Sequence, residues 1–172
     1  NPIDQEGTYP LPEAQVDRFM LKIKVGYPNK DEERKILDRM TISQSQPKVD
    51  KVTNPEEIFA ARQMVDQVFV DEKVRNYIVD VVQATRVESG QNPAEVEGMI
   101  EYGASPRASI FLMQGAKGHA FLQGRNYITP HDVKTIAPDV LRHRIMLSYE
   151  AEAEGKSAED IIQVILDSVL VP

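Results

Sequence analysis

The stretch GASPRAS at residues 103–109 decides how the chain is organised, because it carries the signals of a helix start. Ser105 can cap the helix with its hydroxyl, and Pro106 fits the first helical position, where no backbone donor is needed. Arg107 then lies in the first turn, where the helix dipole favours anions over cations. An arginine there is well explained if it reaches a negative group such as a phosphate. The alternative is a solvated or ion-paired surface arginine, the commonest environment of this residue type.

The helix that starts at Pro106 is predicted to run to about Gln123. Its first half is apolar nearly all round, which indicates burial on several sides. Gly115 and Gly118 each cost about 1 kcal/mol of helix propensity relative to alanine. We therefore expect another element to pack closely against the backbone at both glycines.

Before this helix, the first part of the sequence predicts a loop, a helix and a strand, in that order. Residues 1–11 are rich in proline and are expected to form an ordered loop, and residues 12–19 a short helix. Residues 21–25 alternate between apolar side chains and lysine, which is the period of a half-buried strand. One strand cannot form a sheet alone, so its neighbours are expected upstream of Asn1. The lack of an initiator methionine likewise predicts that the chain is cut from a longer one.

The rest of the pattern is almost entirely helical, with apolar residues at the spacing of one helix face. The predicted helices, with their inward residues, are Asp31–Met40 (Ile36, Leu37, Met40), a helix from Pro55 capped by Asn54 or Thr53 (Ile58, Ala61, Val65, Val68), a helix capped by Asp71 (Val74, Ile78, Val81, Val82, Thr85), Thr129–Ala137 with a further turn from Pro138, and a helix capped by Ser157 (Ile161, Ile162, Ile165, Leu166, Val169). Residues 41–52 and most of 88–102 are predicted as loops, with one helical turn after Asn92. Periodicity does not decide between strand and helix for residues 144–149. The expected fold class is mainly α, a helical bundle preceded by a short helix-strand segment.

Size and composition limit the possible functions. The 172 residues are enough for one domain with a core, or for one domain and a piece of another. The net charge of −7 argues against a broad nucleic-acid-binding surface. The chain has no cysteine, which excludes disulfides and thiolate metal sites and fits a cytoplasmic protein. No apolar run approaches the ~20 residues of a membrane span, and no signal-peptide pattern opens the chain.

Two patterns imitate functional motifs, and we predict structural roles for both. The sequence GKS at residues 155–157 is like the end of a phosphate-binding loop, but that signature needs a glycine where this chain has Glu150. The lysine and serine are better explained as a turn and a helix cap. His119, His131 and His143 never fall at metal-ligand spacing on one helix, so no metal site is predicted.

The sequence DRF at residues 17–19 lies at the end of the first predicted helix. One interpretation is a surface ion pair, with Phe19 anchoring the helix. Arg18 nevertheless shares a chemical logic with Arg107. Phosphoryl transfer needs positive charge on the γ-phosphate, and planar arginine is the side chain suited to supplying it.

Taken together, these residues resemble the MoxR family of AAA+ ATPases. The similar stretches are NP at 1–2, QEGTYPLPEAQ at 5–15 and DRF at 17–19 (the family's segment after the Walker B strand), GASPRA at 103–108 (its sensor 2 helix), and APDVLRHR at 137–144 with LSYEAEAEG at 147–155 (its C-terminal part). The match covers nearly the whole chain. Three long motifs in the right order make it specific, which a lone DRF would not be.

The resemblance implies a role for each of three residues. Asn1 would be the sensor 1 asparagine, which helps to orient the attacking water. Arg18 would be the arginine finger, acting in trans on the nucleotide of a neighbouring subunit, and Arg107 would be sensor 2, touching the γ-phosphate from the lid. Residues 1–28 would be the C-terminal remnant of the α/β ATPase core, and residues 29–172 the helical lid.

The resemblance also implies ATP and Mg²⁺ as ligands of the full-length protein, and a ring, usually a hexamer. Expected partners are client proteins, which it would remodel or mature as a chaperone does, and a von Willebrand factor A domain protein. The 172 residues contain no Walker A or Walker B motif. We therefore expect this fragment alone to bind ATP poorly and to hydrolyse none above background.

Two other functions remain open on the sequence. One is a helical protein-interaction module that uses no nucleotide. The other is DNA binding, if the short helices predicted over 129–137 and 138–144 imitate a helix-turn-helix, although the acidic charge disfavours it.

Overall fold

The computed structural model describes residues 11–41 and 49–172. The predicted loop over 1–11, apart from Leu11, and most of the loop predicted over 41–52 therefore lie outside the described residues. The elements are α1 (Glu13–Val16), α2 (Lys30–Met40), α3 (Pro55–Asp66), α4 (Glu72–Gln83), two short 3-10 helices (Val87–Ser89 and Ala94–Val96), β1 (Ile100–Tyr102), α5 (Pro106–Leu122), α6 (Pro130–Leu141), β2 (Met146–Leu147), α7 (Tyr149–Ala153) and α8 (Ala158–Ser168). The fold is mainly α, as predicted.

Helix α5 is the centre of the bundle. Ala108, Leu112, Ala116 and Ala120 follow one another every four residues, and all four are fully buried. Because three of them are alanines, α6 can approach closely, and α4 and α3 pack on other sides of α5. The predicted burial of this helix on several sides is confirmed.

The two glycines of α5 differ. A Cβ added at Gly115 would lie 2.6 Å from Cγ2 of Ile136 on α6, so only glycine fits there. A Cβ at Gly118 would meet no atom within 4 Å. The predicted close packing is therefore confirmed at Gly115 and wrong at Gly118, where the side faces open space.

One hydrophobic core joins α4, α5, α6 and α8. The inward residues predicted for α4 are all buried, as are the first four predicted for α8, while Val169 is partly buried. The predicted caps are also present: the side chains of Asn54, Asp71, Ser105 and Ser157 each accept a hydrogen bond from a backbone N–H of the helix that follows.

Helix α6 corrects one prediction. The chain does not end a helix near Ala137 and begin a new turn at Pro138, because Pro138 lies inside the single helix Pro130–Leu141. Val133 and Val140, one on either side of the proline, are both fully buried. Burial of this continuous face outweighs the backbone hydrogen bond that proline cannot make. The two short helices that would imitate a helix-turn-helix are therefore not formed.

A two-stranded antiparallel sheet closes one end of the bundle. Strand β1 pairs with β2, with Ile100 opposite Leu147 and Tyr102 opposite Met146. The turn predicted after Asn92 is present as the 3-10 helix Ala94–Val96. The strand β1 was not predicted, because three residues are too few for a period to show.

The part of the chain before α4 differs from the predictions most. Residues 21–25 form no strand in the described structure, and their one backbone hydrogen bond to the bundle joins Lys22 N–H to the carbonyl of Asp139. The predicted inward residues of α2 (Ile36, Leu37, Met40) are exposed, as is Ile58 of α3, while Ala61 and Val65 are half-buried and Val68 is buried. The periodicity is real, but no described residue covers this face of α2, and α5 covers the face of α3 only in part.

Across residues 11–41 and 49–172, no helix has both the length and the apolar character needed to cross a membrane.

Candidate functional site

Arg107 lies in the first turn of α5, as predicted from its Pro106 neighbour. Ser105 caps the helix by accepting a hydrogen bond from the Arg107 N–H at 3.3 Å. The guanidinium is 48% exposed, and its Nη1 donates to Oδ2 of Asp17 at 3.0 Å. The structure thus brings together two residues that are 90 positions apart in the chain, and the arginine is ion-paired.

The carboxylate of Asp17, at the end of α1, is the meeting point of the site. Both of its oxygens accept from the Ser105 hydroxyl, at 3.1 and 3.0 Å, and Oδ1 also accepts from Nε of Arg144 at 3.0 Å. Burial acts to raise the pKa of Asp17, but the hydrogen bonds from Arg107 and Ser105 and the charge of Arg144 outweigh it. The pKa therefore lies below its ordinary value, and the group is a carboxylate at neutral pH.

Arg144 fixes the chain after α1 to the end of α6. Its side chain is fully buried, and its guanidinium donates to the backbone carbonyls of Asp17 at 2.8 Å, Phe19 at 2.5 Å and Met20 at 3.3 Å, and also to that of Val140. The guanidinium also lies 4.9 Å from the centre of the Phe111 ring. Burial lowers the pKa of Arg144, although the Asp17 charge opposes this, and an arginine remains cationic throughout.

Phe19 contributes its backbone rather than its ring. Its carbonyl accepts from Arg144 and lies 3.0 Å from Nε2 of His143, while the ring is exposed. The interpretation that Phe19 anchors the helix by its side chain is therefore wrong. Burial lowers the pKa of His143, so the imidazole is neutral at pH 7.

A second polar contact holds the segment after α1 against the bundle. Arg142 donates to the carbonyl of Lys22 and to Oδ1 of Asp139, the latter at 2.5 Å. Glu159 of α8 accepts from Arg142 at 3.0 Å and pairs with Lys24 at 2.6 Å. Arginines of the bundle therefore supply most of the polar contacts that attach residues 17–24.

A cleft of about 340 Å³ lies between α1 and the bundle, bordered by Glu13, Asp17, Tyr102, Ser105, His143 and Arg144. Two carboxylates line it and Arg144 is already fully bonded, so the cleft does not suit a phosphate. The cleft lies along the contact between the α1 segment and the bundle.

The other two predicted site residues are Arg18 and Asn1, and the structure describes only Arg18 of the two. Arg18 follows Asp17 directly, is exposed, and forms no ion pair with any described residue. Asn1 lies outside the described residues. Nothing in the structure tests the predicted roles of Asn1, Arg18 or Arg107 toward nucleotide.

A separate buried cluster surrounds Asp132 on α6. Its fully buried carboxylate accepts from Arg125 at 2.5 and 2.8 Å, from the N–H and hydroxyl of Thr129, both at 2.7 Å, and lies 2.6 Å from Nδ1 of His119. Burial acts to raise the pKa of Asp132, but these hydrogen bonds hold it far below its usual range. Its partners are His119 on α5 and two residues of the connection from α5 to α6, Arg125 and Thr129, so the cluster ties these two helices together.

No three His, Cys, Asp or Glu side chains come together as a metal site in the parts of the chain that the structure describes. His119 and His143 have the polar partners given above, and His131 is exposed.

Sequence reasoning gave Arg107 and Arg18 but missed Asp17 and Arg144 as functional candidates. The one available signal for Asp17 was its place beside Arg18. For Arg144 there was none, because a buried arginine that bonds carbonyls 124 residues away leaves no local pattern.

The mainly helical bundle after a short helical segment is consistent with an AAA+ lid that follows part of an ATPase core. Comparison with known families agrees: residues 93–165 match the AAA lid domain, and residues 1–21 match the ATPase family associated with various cellular activities (AAA).

Individual relatives narrow this assignment. The chain is 41% identical over its full length both to the Mycobacterium tuberculosis protein named chaperone MoxR1 and to the Bacillus subtilis protein YeaC, covering 45% and 51% of their lengths. A crystal structure of a Cytophaga hutchinsonii protein, described as a candidate ATPase, superposes with a TM-score of 0.92 at 42% identity, over all of this chain and 52% of that one. Over its full length the chain is thus similar to MoxR proteins, and two parts of it match AAA family models. It spans about half the length of the curated relatives it matches.

Proposed function

We propose that the complete protein is a MoxR-type ATPase that couples ATP binding and hydrolysis to the remodelling or maturation of partner proteins. Arg18 serves as the arginine finger of a neighbouring subunit's site, Arg107 as sensor 2, and Asn1 as sensor 1. The observation that carries this proposal is the placement of Arg107. It lies half exposed in the first turn of α5 and pairs with Asp17, the residue that precedes Arg18.

The chemistry asked of these residues is electrostatic. Water attacks the γ-phosphorus of ATP, the bond to the β,γ-bridging oxygen breaks, and ADP, inorganic phosphate and a proton leave. Negative charge on the transferred phosphoryl group is stabilised by planar guanidinium groups, one from the lid of the same subunit and one from its neighbour. Neither arginine forms a bond to the reacting atoms.

The described residues do not fit Mg²⁺, since they bring no group of acidic side chains together. We therefore assign no magnesium ligand here. Phosphate binding by a Walker A loop and metal binding by a Walker B carboxylate belong to other parts of the complete protein, and the 172 residues alone are proposed to be inactive.

A finger that acts in trans requires an oligomer, and we propose a closed ring, a hexamer by analogy with the family. Client proteins and a von Willebrand factor A domain protein are the proposed partners, and the cytoplasm the proposed location. The DNA-binding alternative loses its support, because α6 is one continuous helix rather than a helix-turn-helix. A helical interaction module that uses no nucleotide stays as the second candidate, favoured by the exposed apolar side chains of α2.

The test uses the complete protein and measures ATP turnover. Arg18→Ala and Arg107→Ala are each expected to lower turnover about 10³-fold or more, with unchanged thermal unfolding. Arg75→Ala is the matched control, because Arg75 is also exposed and ion-paired, to Glu72 at 3.7 Å, but lies on α4.

The trans assignment has its own test in mixed oligomers. Subunits with Arg18→Ala retain an intact site, and subunits with a substituted Walker lysine retain Arg18. Mixing the two inactive proteins should restore turnover at the shared interfaces. If neither substitution lowers turnover, the nucleotide-independent interaction module becomes the better supported function. If both lower turnover but mixing restores none, Arg18 does not act across the subunit interface.

A further inference from the structure

Asp17 lies in the segment that carries Arg18, and its side chain contacts Arg107 of the bundle. Its Oδ2 accepts from Arg107, its Oδ1 from Arg144, and both oxygens from Ser105. The backbone N–H of Arg18, one residue on, donates to the carbonyl of Gln15 in the same short helical segment. Asp17 directly precedes Arg18 in this segment, so a change in how the Asp17 carboxylate is held acts on the segment that bears Arg18.

The two arginines on Asp17 are unequal. Arg144 is fully buried and bonded to several backbone carbonyls, so it is a fixed point. Arg107 is 48% exposed. Within the described residues, its guanidinium contacts Asp17 through a single atom, Nη1. A guanidinium has five N–H donors, so most of those on Arg107 remain available to a second anion.

We propose that Asp17 is a positioning residue that transmits the state of Arg107 to Arg18. This inference rests on the proposed function and deepens it. With the Asp17–Arg107 pair intact, the α1 segment is held in the position that presents Arg18 to the neighbouring subunit. A phosphate that binds Arg107 competes with Asp17 for the same guanidinium and weakens the Arg107–Asp17 ion pair. The position in which Arg18 is presented to the neighbouring subunit changes as a result.

The direction of coupling follows from the contacts. One anion on a guanidinium reduces its attraction for another, so ligand at a subunit's own lid and delivery of its finger are linked, and the linkage is reciprocal. Ser105 and Arg144 keep the carboxylate near the lid when Arg107 turns away. The response is therefore a shift of the α1 segment rather than its release.

The experiment isolates finger delivery in mixed oligomers of the complete protein. Acceptor subunits carry Arg18→Ala, and donor subunits carry the substituted Walker lysine, so that all turnover depends on the donor's Arg18. Adding Asp17→Asn to the donor should lower the restored turnover about fivefold or more, within the usual range of couplings between sites. Adding Arg107→Ala to the donor should lower it similarly.

Two further donors distinguish coupling from simple loosening. The double variant Asp17→Asn/Arg107→Ala should be no worse than either single variant, because both break the same pair. Glu159→Gln is the matched control: it neutralises another carboxylate that attaches this segment, through Lys24 and Arg142, far from Arg107, and should leave restored turnover unchanged.

Each outcome decides something. If donors with native Asp17 restore no turnover, the trans assignment of the proposed function has failed. If they restore it and Asp17→Asn donors restore it equally, or if the double variant is additively worse, the transmission through Asp17 is overturned while the proposed function stands. Should Asp17→Asn donors not join the oligomer, Arg107→Ala donors carry the same comparison against Glu159→Gln.

Discussion

The helices α4, α5, α6 and α8 bury their apolar residues in one core, whereas α2 leaves the apolar residues of its predicted inward face exposed. From Val68 to Leu166 the apolar faces meet in one core, whereas none of the residues of α1, α2 or α3 is buried. Instead, the segment after α1 is attached by Arg142 and Arg144, which bond its backbone carbonyls. The four helices are joined by hydrophobic burial, whereas the segment after α1 is attached largely by directional polar contacts.

The difference matters for function because the two kinds of cohesion respond differently to a ligand. A packed core resists small displacements, whereas a carboxylate shared between two arginines can keep one of them as a partner when the other turns away. The residues proposed to sense phosphate lie where the two regions meet. The predictions below compare the regions directly, in order of expected effect.

Asp132→Ala should destabilise the 172-residue chain by about 3–5 kcal/mol, because it leaves Arg125 without its buried partner. Urea unfolding measures this. Asp139→Ala is the control, since Asp139 is 35% exposed and its partner Arg142 retains Glu159. Equal losses in the two variants would contradict the structural role of the Asp132 cluster.

Ile162→Ala, in the core of α8, should cost about 2–5 kcal/mol of unfolding free energy, because it opens a cavity in a fully packed face. Leu37→Ala, at an equally apolar position of α2, should change it by less than about 0.5 kcal/mol, because Leu37 is exposed. A large loss at Leu37 would mean that α2 is covered in the 172-residue chain in solution.

Substitution of the two α5 glycines should have opposite signs. Gly115→Ala is expected to destabilise by about 1–3 kcal/mol, because the new methyl group overlaps Ile136. Gly118→Ala should stabilise by up to about 1 kcal/mol, because alanine favours the helix and the space is open. Thermal unfolding of the pair tests this, and equal signs would refute the close α5–α6 approach at Gly115.

Acid should abolish the contribution of Asp17. Its pKa is lowered in the folded state, so its stabilisation is fully present above the ordinary carboxyl pKa and is lost as the pH falls through the folded value. The difference in unfolding free energy between the native chain and Asp17→Asn should therefore shrink as the pH is lowered from about 5 to about 3. A difference that grew on acidification would mean that Asp17 is not held as a carboxylate.

The sequence predicted what depends on local chemistry. The caps of α3, α4, α5 and α8, the buried face of α4 and the glycine packing at Gly115 follow from residue type and spacing. Pro138 was misjudged because burial on both sides of it outweighs the local preference of proline. The exposed face of α2 was misjudged because periodicity shows that a face is apolar and cannot show what covers it.

In the candidate site, too, local features were predictable from the sequence and contacts between distant segments were not. Arg107 was placed correctly because Ser105 and Pro106 fix the helix start beside it. Its pairing with Asp17, and the burial of Arg144 beneath both, join segments about 90 and 127 residues apart and have no local signature. Whether Arg18 and Arg107 serve ATP remains a prediction.

The most direct test of the account is hydrogen exchange in the complete protein, with and without a non-hydrolysable ATP analogue. The amides of Gln15 to Phe19 are hydrogen-bonded within the α1 segment and report its position. We predict that nucleotide changes their exchange in the native protein and that Arg107→Ala, with nucleotide binding verified, abolishes the change. The same nucleotide-dependent change in Arg107→Ala as in the native protein would contradict a link from Arg107 to the segment that bears Arg18.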